Sequence, residues 1–122
     1  LGRASNWPKK MYSCLAGFIE PGETINQAVK RETLEEVGVK VKKIKFRTDQ
    51  PWPFPSSLMI GCSAETNQIK LKIDQTELEN AIWVTKEQVM QSLSTNGGLF
   101  QAARPGTIAR YLIKSWVIGK FS

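Results

Sequence analysis

The segment from Glu20 to Gly38 constrains the fold more than any other part of the chain. Thr24 and Gln27 have the spacing of a capping box, in which each side chain bonds the other residue's backbone N–H at the start of a helix. Gly38 stands where a residue in the left-handed conformation often ends a helix. The sequence therefore predicts a helix over residues 24–37.

Acidic side chains concentrate in this segment, although the chain as a whole has a net charge of +6. At about 100° per residue, Glu32, Glu35 and Glu36 fall on one face of the predicted helix. Carboxylates at this spacing repel one another, whereas a hard cation such as Mg²⁺ takes oxygen ligands. The face is therefore either a divalent-metal site or an ordinary solvated surface.

The residue types present exclude several kinds of catalytic site. The chain has no histidine, which excludes Ser-His-Asp and Cys-His nucleophiles and histidine-ligated metals. Cys14 and Cys62 form no CxxC pair, so neither a zinc ribbon nor a disulfide framework is expected, and two reduced thiols indicate an intracellular protein. No apolar run approaches the ~20 residues of a membrane span, so we expect no membrane partner.

The rest of the chain predicts a single α+β domain over residues 1–122. Alternate prolines over residues 50–56 predict a stiff extended loop that is neither a helix nor a central strand. An extra basic residue at Lys42-Lys43 predicts a bulge. Apolar periodicity and capping signals predict strands over residues 11–15, 39–47, 57–65, 70–73 and 81–84, and helices over residues 85–93 and 107–116.

Two segments permit two interpretations each on their residues alone. Five of the nine residues 39–47 are basic, which suits either contact with RNA or a solvated strand face. Trp52 and Phe54 stand between prolines, where they form either a rigid wall for a flat ring or a cover for the core.

Residues 17–39 carry a dense pattern that resembles the signature of the Nudix hydrolases. Thr33 departs from it at a usually aliphatic position, which we interpret as a packing adjustment. The matching residues are Gly17, Glu23, Arg31, Glu32, Glu35, Glu36, Gly38 and Val39.

Resemblance to this family implies an α/β/α sandwich, with a mixed β-sheet flanked by helices, that hydrolyses nucleoside diphosphate derivatives with Mg²⁺ or Mn²⁺. It implies that Glu32, Glu35 and Glu36 hold the metal and act in catalysis, with Arg31 beside them. Arg31 can also pair with Glu23 and hold the loop to the helix. The resemblance further implies that Gly17, Glu23 and Gly38 are structural parts of the motif.

Residues 49–57 resemble a second motif, typical of NADH pyrophosphatases, with Asp49 in place of the motif's first serine. This likeness implies cleavage of NADH, and more weakly NAD⁺, to nicotinamide mononucleotide and AMP. It implies that Glu77 completes the metal site, with Glu79 as a competing candidate. The substrate-binding residues that it implies are Phe18, Gln50, Trp52, Phe54, Ser57 and Ala109.

Other functions remain open beside this one. The alternatives are a Nudix hydrolase acting on ADP-ribose or removing NAD caps from RNA and, in another class, a non-catalytic nucleotide- or RNA-binding module. The resemblance also implies that full-length members carry an N-terminal domain and a four-cysteine zinc ribbon and form homodimers. Few residues precede Gly17, so we expect this Nudix domain to be N-terminally incomplete. Cytoplasm, peroxisome and mitochondrion all remain possible locations.

Overall fold

A computed structural model of the chain describes residues 1–7, 10–52, 57–94 and 106–121. Helices and antiparallel strands both occur in these ranges, which confirms the α+β class. In chain order the elements are β1 (Gly2–Arg3), α1 (Ile25–Val37), β2 (Lys42–Trp52), β3 (Ser57–Glu65), β4 (Asn80–Ala81), α2 (Lys86–Ser94) and α3 (Ile108–Val117).

Helix α1 begins and ends with the predicted caps. The Thr24 hydroxyl accepts from the Gln27 N–H at 3.1 Å, and the Gln27 side chain accepts from the Thr24 N–H at 2.8 Å. Gly38 is left-handed, with φ 71°, and its N–H donates to Leu34 O at 3.0 Å. These bonds satisfy backbone groups that a helix leaves without partners at its ends, and they fix where the helix that carries the acidic face begins and ends.

Strands β2 and β3 form an antiparallel hairpin that is longer than the sequence predicts. The predicted bulge is present, because the register shifts between Lys42 and Lys45 and Lys43 has φ 52°. The prediction of a loop is wrong for residues 50–52, which continue β2 and pair with residues 57–59. In a two-stranded sheet each strand is an edge, so Pro51 can lack its N–H without breaking a central ladder.

Two other predicted strands are not formed in the described residues. Ser13 makes only an isolated bridge to Gly2. The segment over residues 70–73 bonds the end of α1 instead, where Lys72 N–H donates to Val37 O at 2.7 Å. Strand β4 is shorter than predicted and pairs antiparallel with β1, so the described sheets are two antiparallel pairs and not one mixed sheet.

The later helices confirm their predictions, with Thr107 capping α3 through a bond from Arg110 N–H at 3.2 Å. Buried residues form two apolar clusters, one around Val37, Val39 and Ala81 and the other around Val89 and Ile113. Helix α3 packs on β3 at Gly61, next to the side chains of Ile108 and Leu112. Within the described ranges, no helix is long and apolar enough to cross a membrane.

Candidate active site

Arg31 fastens the loop before α1 to the helix. Its Nε donates to Glu23 Oε2 at 2.7 Å and its Nη2 to Glu23 Oε1 at 3.0 Å, a bidentate pair. Nη2 also donates to the Phe18 carbonyl at 2.9 Å. The pair raises the pKa of Arg31 and lowers that of Glu23. The predicted link between Arg31 and Glu23 is present, and it orders the approach to the acidic face.

Two of the predicted metal ligands contact the same guanidinium. Arg31 Nη1 donates to Glu32 Oε1 at 2.8 Å and to Glu35 Oε2 at 3.3 Å. The Glu35 side chain is 58% exposed, whereas that of Glu32 is 24% exposed. Arg31 therefore holds both carboxylates on one side of the helix, as the helical spacing predicts.

Glu36 is the buried member of the set, with 5% of its surface exposed. Its Oε2 is buried and has no hydrogen-bond partner among the described residues. The pKa of Glu36 is raised to about 7, chiefly by burial and further by the charges of Glu32, Glu77 and Glu35 and a hydrogen bond with Glu32. The sequence predicts that the three helix carboxylates converge, and this mutual effect is what convergence produces.

The donor set fits a hard divalent cation. An unpaired buried carboxylate oxygen beside three more carboxylates is a poor arrangement without a cation and a favourable one with it. The described side chains do not by themselves form a closed group of three or more ligands. Glu32 and Glu35 point to Arg31 instead, so a cation would have to draw them from the guanidinium.

Gly17 leaves the space that the Glu32 carboxylate occupies. A Cβ at position 17 would stand 2.3 Å from Glu32 Cδ and 2.4 Å from its Oε2. Gly22, in contrast, has open space around it. Its φ of 80° is a conformation that glycine adopts without strain, as a tight turn requires. Gly17, which belongs to the motif, and Gly22, which does not, therefore serve different purposes.

Glu77, and not Glu79, approaches the acidic face. The charge of Glu77 contributes to the raised pKa of Glu36, whereas Glu79 forms a salt bridge with Arg3. Asp74 also lies at this end of α1, which the sequence patterns did not predict: its N–H donates to Glu36 O at 2.8 Å, and its carboxylate accepts from Thr76 N–H at 3.0 Å. The Asp-x-Thr pattern of such a turn is a signal that could have indicated it.

The predicted substrate-binding residues lie in two places. Phe18 is 84% exposed on the loop that Arg31 holds. Gln50, at the end of β2, bonds the backbone at the start of α3, where the Ala109 carbonyl accepts from Cys14 Sγ at 3.9 Å. Ser57 opens β3 opposite Trp52, of which only the backbone is described, and Phe54 lies outside the described residues.

A cavity of about 550 Å³ lies between the end of β2 and α3. Its lining includes Asp49, Gln50, Arg110, Tyr111 and Lys114, but neither Phe18 nor the α1 carboxylates. The structure thus brings Gln50 together with the first turns of α3, and Phe18 together with Arg31. The α1 carboxylates lie with the second of these two groups, through Arg31.

Comparison with known proteins gives a family match over most of the chain. A family model described as a NUDIX domain matches residues 1–103. The sequence motifs and this match agree.

Several similar proteins have related names. The chain is 49% identical over 118 residues to the NAD-capped RNA hydrolase NUDT12 of Homo sapiens, covering 96% of this chain and 26% of that protein. It is 40% identical over 129 residues to the mitochondrial NAD(P)H pyrophosphatase NUDT13 of Homo sapiens, covering 96% and 37%. It is 37% identical over 123 residues to the NAD-capped RNA hydrolase NudC of Mycobacterium bovis, covering 95% and 39%. The chain therefore spans about a quarter to two fifths of the length of these relatives.

Proposed function

This chain belongs to the NUDIX family, and on that premise we propose that it is a divalent-metal-dependent diphosphatase acting on NADH. It cleaves the pyrophosphate bond of NADH, and of NAD⁺, to give nicotinamide mononucleotide and AMP. Nudix hydrolases generally use divalent metals, and Mg²⁺ or Mn²⁺ is the ion we propose here.

The Glu36 carboxylate is the observation that carries this proposal. It is buried, one oxygen has no partner among the described residues, and the charges of Glu32, Glu35 and Glu77 raise its pKa. A face designed only for solvent would place lysines between such carboxylates and leave none of them buried. The arrangement supports a site for a cation that carries the substrate's pyrophosphate.

Each of these residues has a proposed part in the reaction. Glu32, Glu35, Glu36 and Glu77 would hold the ion, which when bound supplies charge neutralisation of pyrophosphate oxygens and a more acidic water. Arg31 keeps Glu32 and Glu35 near the site before the ion arrives. Through its bonds to Glu23 and Phe18 O, Arg31 also fixes the loop that faces the substrate.

The NADH part of the proposal draws on the aromatic loop residue and on the relatives. Phe18 presents an exposed ring on a loop that is tied down by its own carbonyl, which suits stacking on a flat base. We propose that Trp52, Phe54 and Ser57 of the proline-rich motif complete recognition, together with Ala109. The human relative NUDT13, named as an NAD(P)H pyrophosphatase, supports this choice of substrate.

A second candidate function is the removal of NAD caps from RNA. The relatives named NAD-capped RNA hydrolase favour it. Lys42, Lys43 and Lys45 of β2 are exposed, and such a strand can contact the phosphates of an RNA chain. The same hydrolytic site would serve both substrates, because the bond cleaved is the same.

We propose an intracellular location, since Cys14 and Cys62 are both free thiols. We also propose that the protein of which this domain is part forms a homodimer. Gel filtration with light scattering tests the dimer.

Product analysis tests the proposed reaction. The purified chain is incubated with NADH and Mg²⁺ or Mn²⁺, and the products are separated by chromatography. We expect AMP and reduced nicotinamide mononucleotide in equal amounts, no reaction in EDTA, and a rate reduced by about 10² or more in Glu35→Gln. Glu65→Gln, on a surface pair with Lys43 at 3.5 Å, is the matched control. Full activity of Glu35→Gln would exclude the proposed role of that residue.

A further inference from the structure

Both ends of the Gln50 side-chain amide are bonded to the backbone at the start of α3. Nε2 donates to Gly106 O at 2.8 Å, and Oε1 accepts from Ile108 N–H at 3.0 Å. These partners fix the orientation of the amide, because a carbonyl needs a donor and an N–H needs an acceptor. Ile108 is the first residue of α3, so its N–H is one of the donors that a helix leaves open at its start.

Gln50, Gly106 and Ile108 all line the cavity of about 550 Å³ between β2 and α3. That volume lies within the range of small-molecule sites. Among the described lining residues Arg110 and Lys114 are cationic and Asp49 alone is acidic. Tyr111 adds an aromatic ring, and Lys120 Nζ lies 5.2 Å from the centroid of that ring. Cationic groups beside an exposed ring suit a ligand with a phosphate and a flat base, which is the chemistry of a nucleotide.

Packing also holds α3, including its first residue, Ile108. Ile113 is buried in the core cluster with Val89. Leu112 and Ile108 fill the space above Gly61 of β3, where a Cβ would stand 3.0 Å from Leu112 Cδ1. The Gln50 amide adds directional bonds to this packing at the first turn of α3.

We propose that Gln50 is a positioning residue, which fixes the first turn of α3 as one wall of a nucleotide-binding cavity and does not itself bind substrate through its amide. This replaces the direct contact that the sequence motif implies for Gln50. The inference rests on the proposed function, in that the nucleotide is part of the substrate. A wall that is poorly placed weakens binding of the substrate equally in the ground state and the transition state, so KM rises while kcat is unchanged.

Gln50→Met tests the role, since methionine has a similar length and no amide. Gln68→Met is the matched control, because Gln68 Oε1 also accepts from a backbone N–H, that of Lys40 at 2.7 Å, outside the cavity lining. We expect Gln50→Met to raise KM for NADH about tenfold with kcat within about twofold. Hydrogen exchange at the Ile108 amide should accelerate in the same variant. Gln68→Met should leave both readouts as in the unsubstituted chain.

Gln50→Glu gives a second, milder variant that does not depend on the folding of the first. Its carboxylate still accepts from Ile108 N–H but cannot donate to Gly106 O, so we expect an intermediate KM. A KM unchanged in both Gln50 variants, or a loss of kcat alone, would overturn the inference.

The binding of AMP, measured by calorimetry without metal, separates the two proposals. If the unsubstituted chain fails to hydrolyse NADH, the proposed function fails, but AMP binding still reports on the cavity. Binding about tenfold weaker in Gln50→Met supports the positioning role. Equal binding in both chains, or no binding to the unsubstituted chain, contradicts it.

Discussion

Gly17→Ala should separate the hydrolytic site from the stability of the fold. The new Cβ would stand 2.3 Å from Glu32 Cδ and 2.4 Å from Glu32 Oε2. Carbon atoms that are not bonded sit about 3.5–4 Å apart, so the carboxylate has to move by about 1 Å or more. Glu32 is a flexible side chain and can turn away, but the methyl group then takes up space that the carboxylate needs as it moves from Arg31 to the ion.

The size of the effect follows from this displacement. Misplacing a catalytic group by about 1 Å can cost about 10²-fold in rate. We therefore expect kcat/KM for NADH with Mg²⁺ to fall by about 10-fold to 10²-fold. The free energy of unfolding, measured with urea, should change by less than about 1 kcal/mol, because only a side-chain terminus has to move.

Gly22→Ala is the matched control. Gly22 has open space around it but a φ of 80°, so alanine there costs about 1 kcal/mol of stability in strain. Its turnover should remain close to that of the unsubstituted chain. Full activity of Gly17→Ala would refute the reasoning. So would a loss of stability in Gly17→Ala as large as that in Gly22→Ala, because instability could then explain the lost activity.

Two further predictions concern stability. Because the pKa of Glu36 is about 7 when folded and 4.5 ordinarily, the folded chain binds more protons between these values. The metal-free chain should therefore lose up to about 3 kcal/mol of stability as pH rises through them. Urea midpoints at several pH values should show this loss in the unsubstituted chain and in Glu65→Gln but not in Glu36→Gln. The same change of midpoint with pH in all three chains would contradict it. Thr33 lines a mainly apolar cavity of about 170 Å³ while its hydroxyl donates to Val29 O at 2.7 Å. Thr33→Leu should therefore raise stability by about 1 kcal/mol, the gain from apolar burial less the lost hydrogen bond. The thermal midpoint should rise, and a fall below that of Thr33→Ser would show that the space is not there.

Local signals made the helices readable from the sequence. The caps of α1 and α3 are hydrogen bonds between residues three apart, so their geometry depends little on the rest of the chain. Strands depend on distant partners, and the sequence could not supply these. The segment over residues 70–73 has a strand-like pattern, yet it bonds the end of α1. Pro51 suggests a loop, yet it continues an edge strand.

In the candidate site too, the local features could be predicted from the sequence and the contacts between distant residues could not. Helical spacing was enough to predict that Glu32, Glu35 and Glu36 share a face, because the period of a helix is fixed. The engagement of Glu32 and Glu35 by Arg31 follows from side-chain conformations that spacing does not specify. The bonds of Gln50 to Gly106 and Ile108 join residues far apart in the chain, so the motif alone could not show that this amide is bonded to the backbone at the start of α3.

The rate of NADH hydrolysis by Glu36→Gln tests the central claim most directly. The claim is that the buried carboxylate with an unpaired oxygen belongs to a metal-dependent hydrolytic site. The measurement is kcat/KM for NADH with saturating Mg²⁺ in the unsubstituted chain, Glu36→Gln and Glu65→Gln. We expect Glu65→Gln to match the unsubstituted chain and Glu36→Gln to lose about 10²-fold or more while remaining folded. A folded Glu36→Gln variant that hydrolyses NADH at the unsubstituted rate would contradict the account.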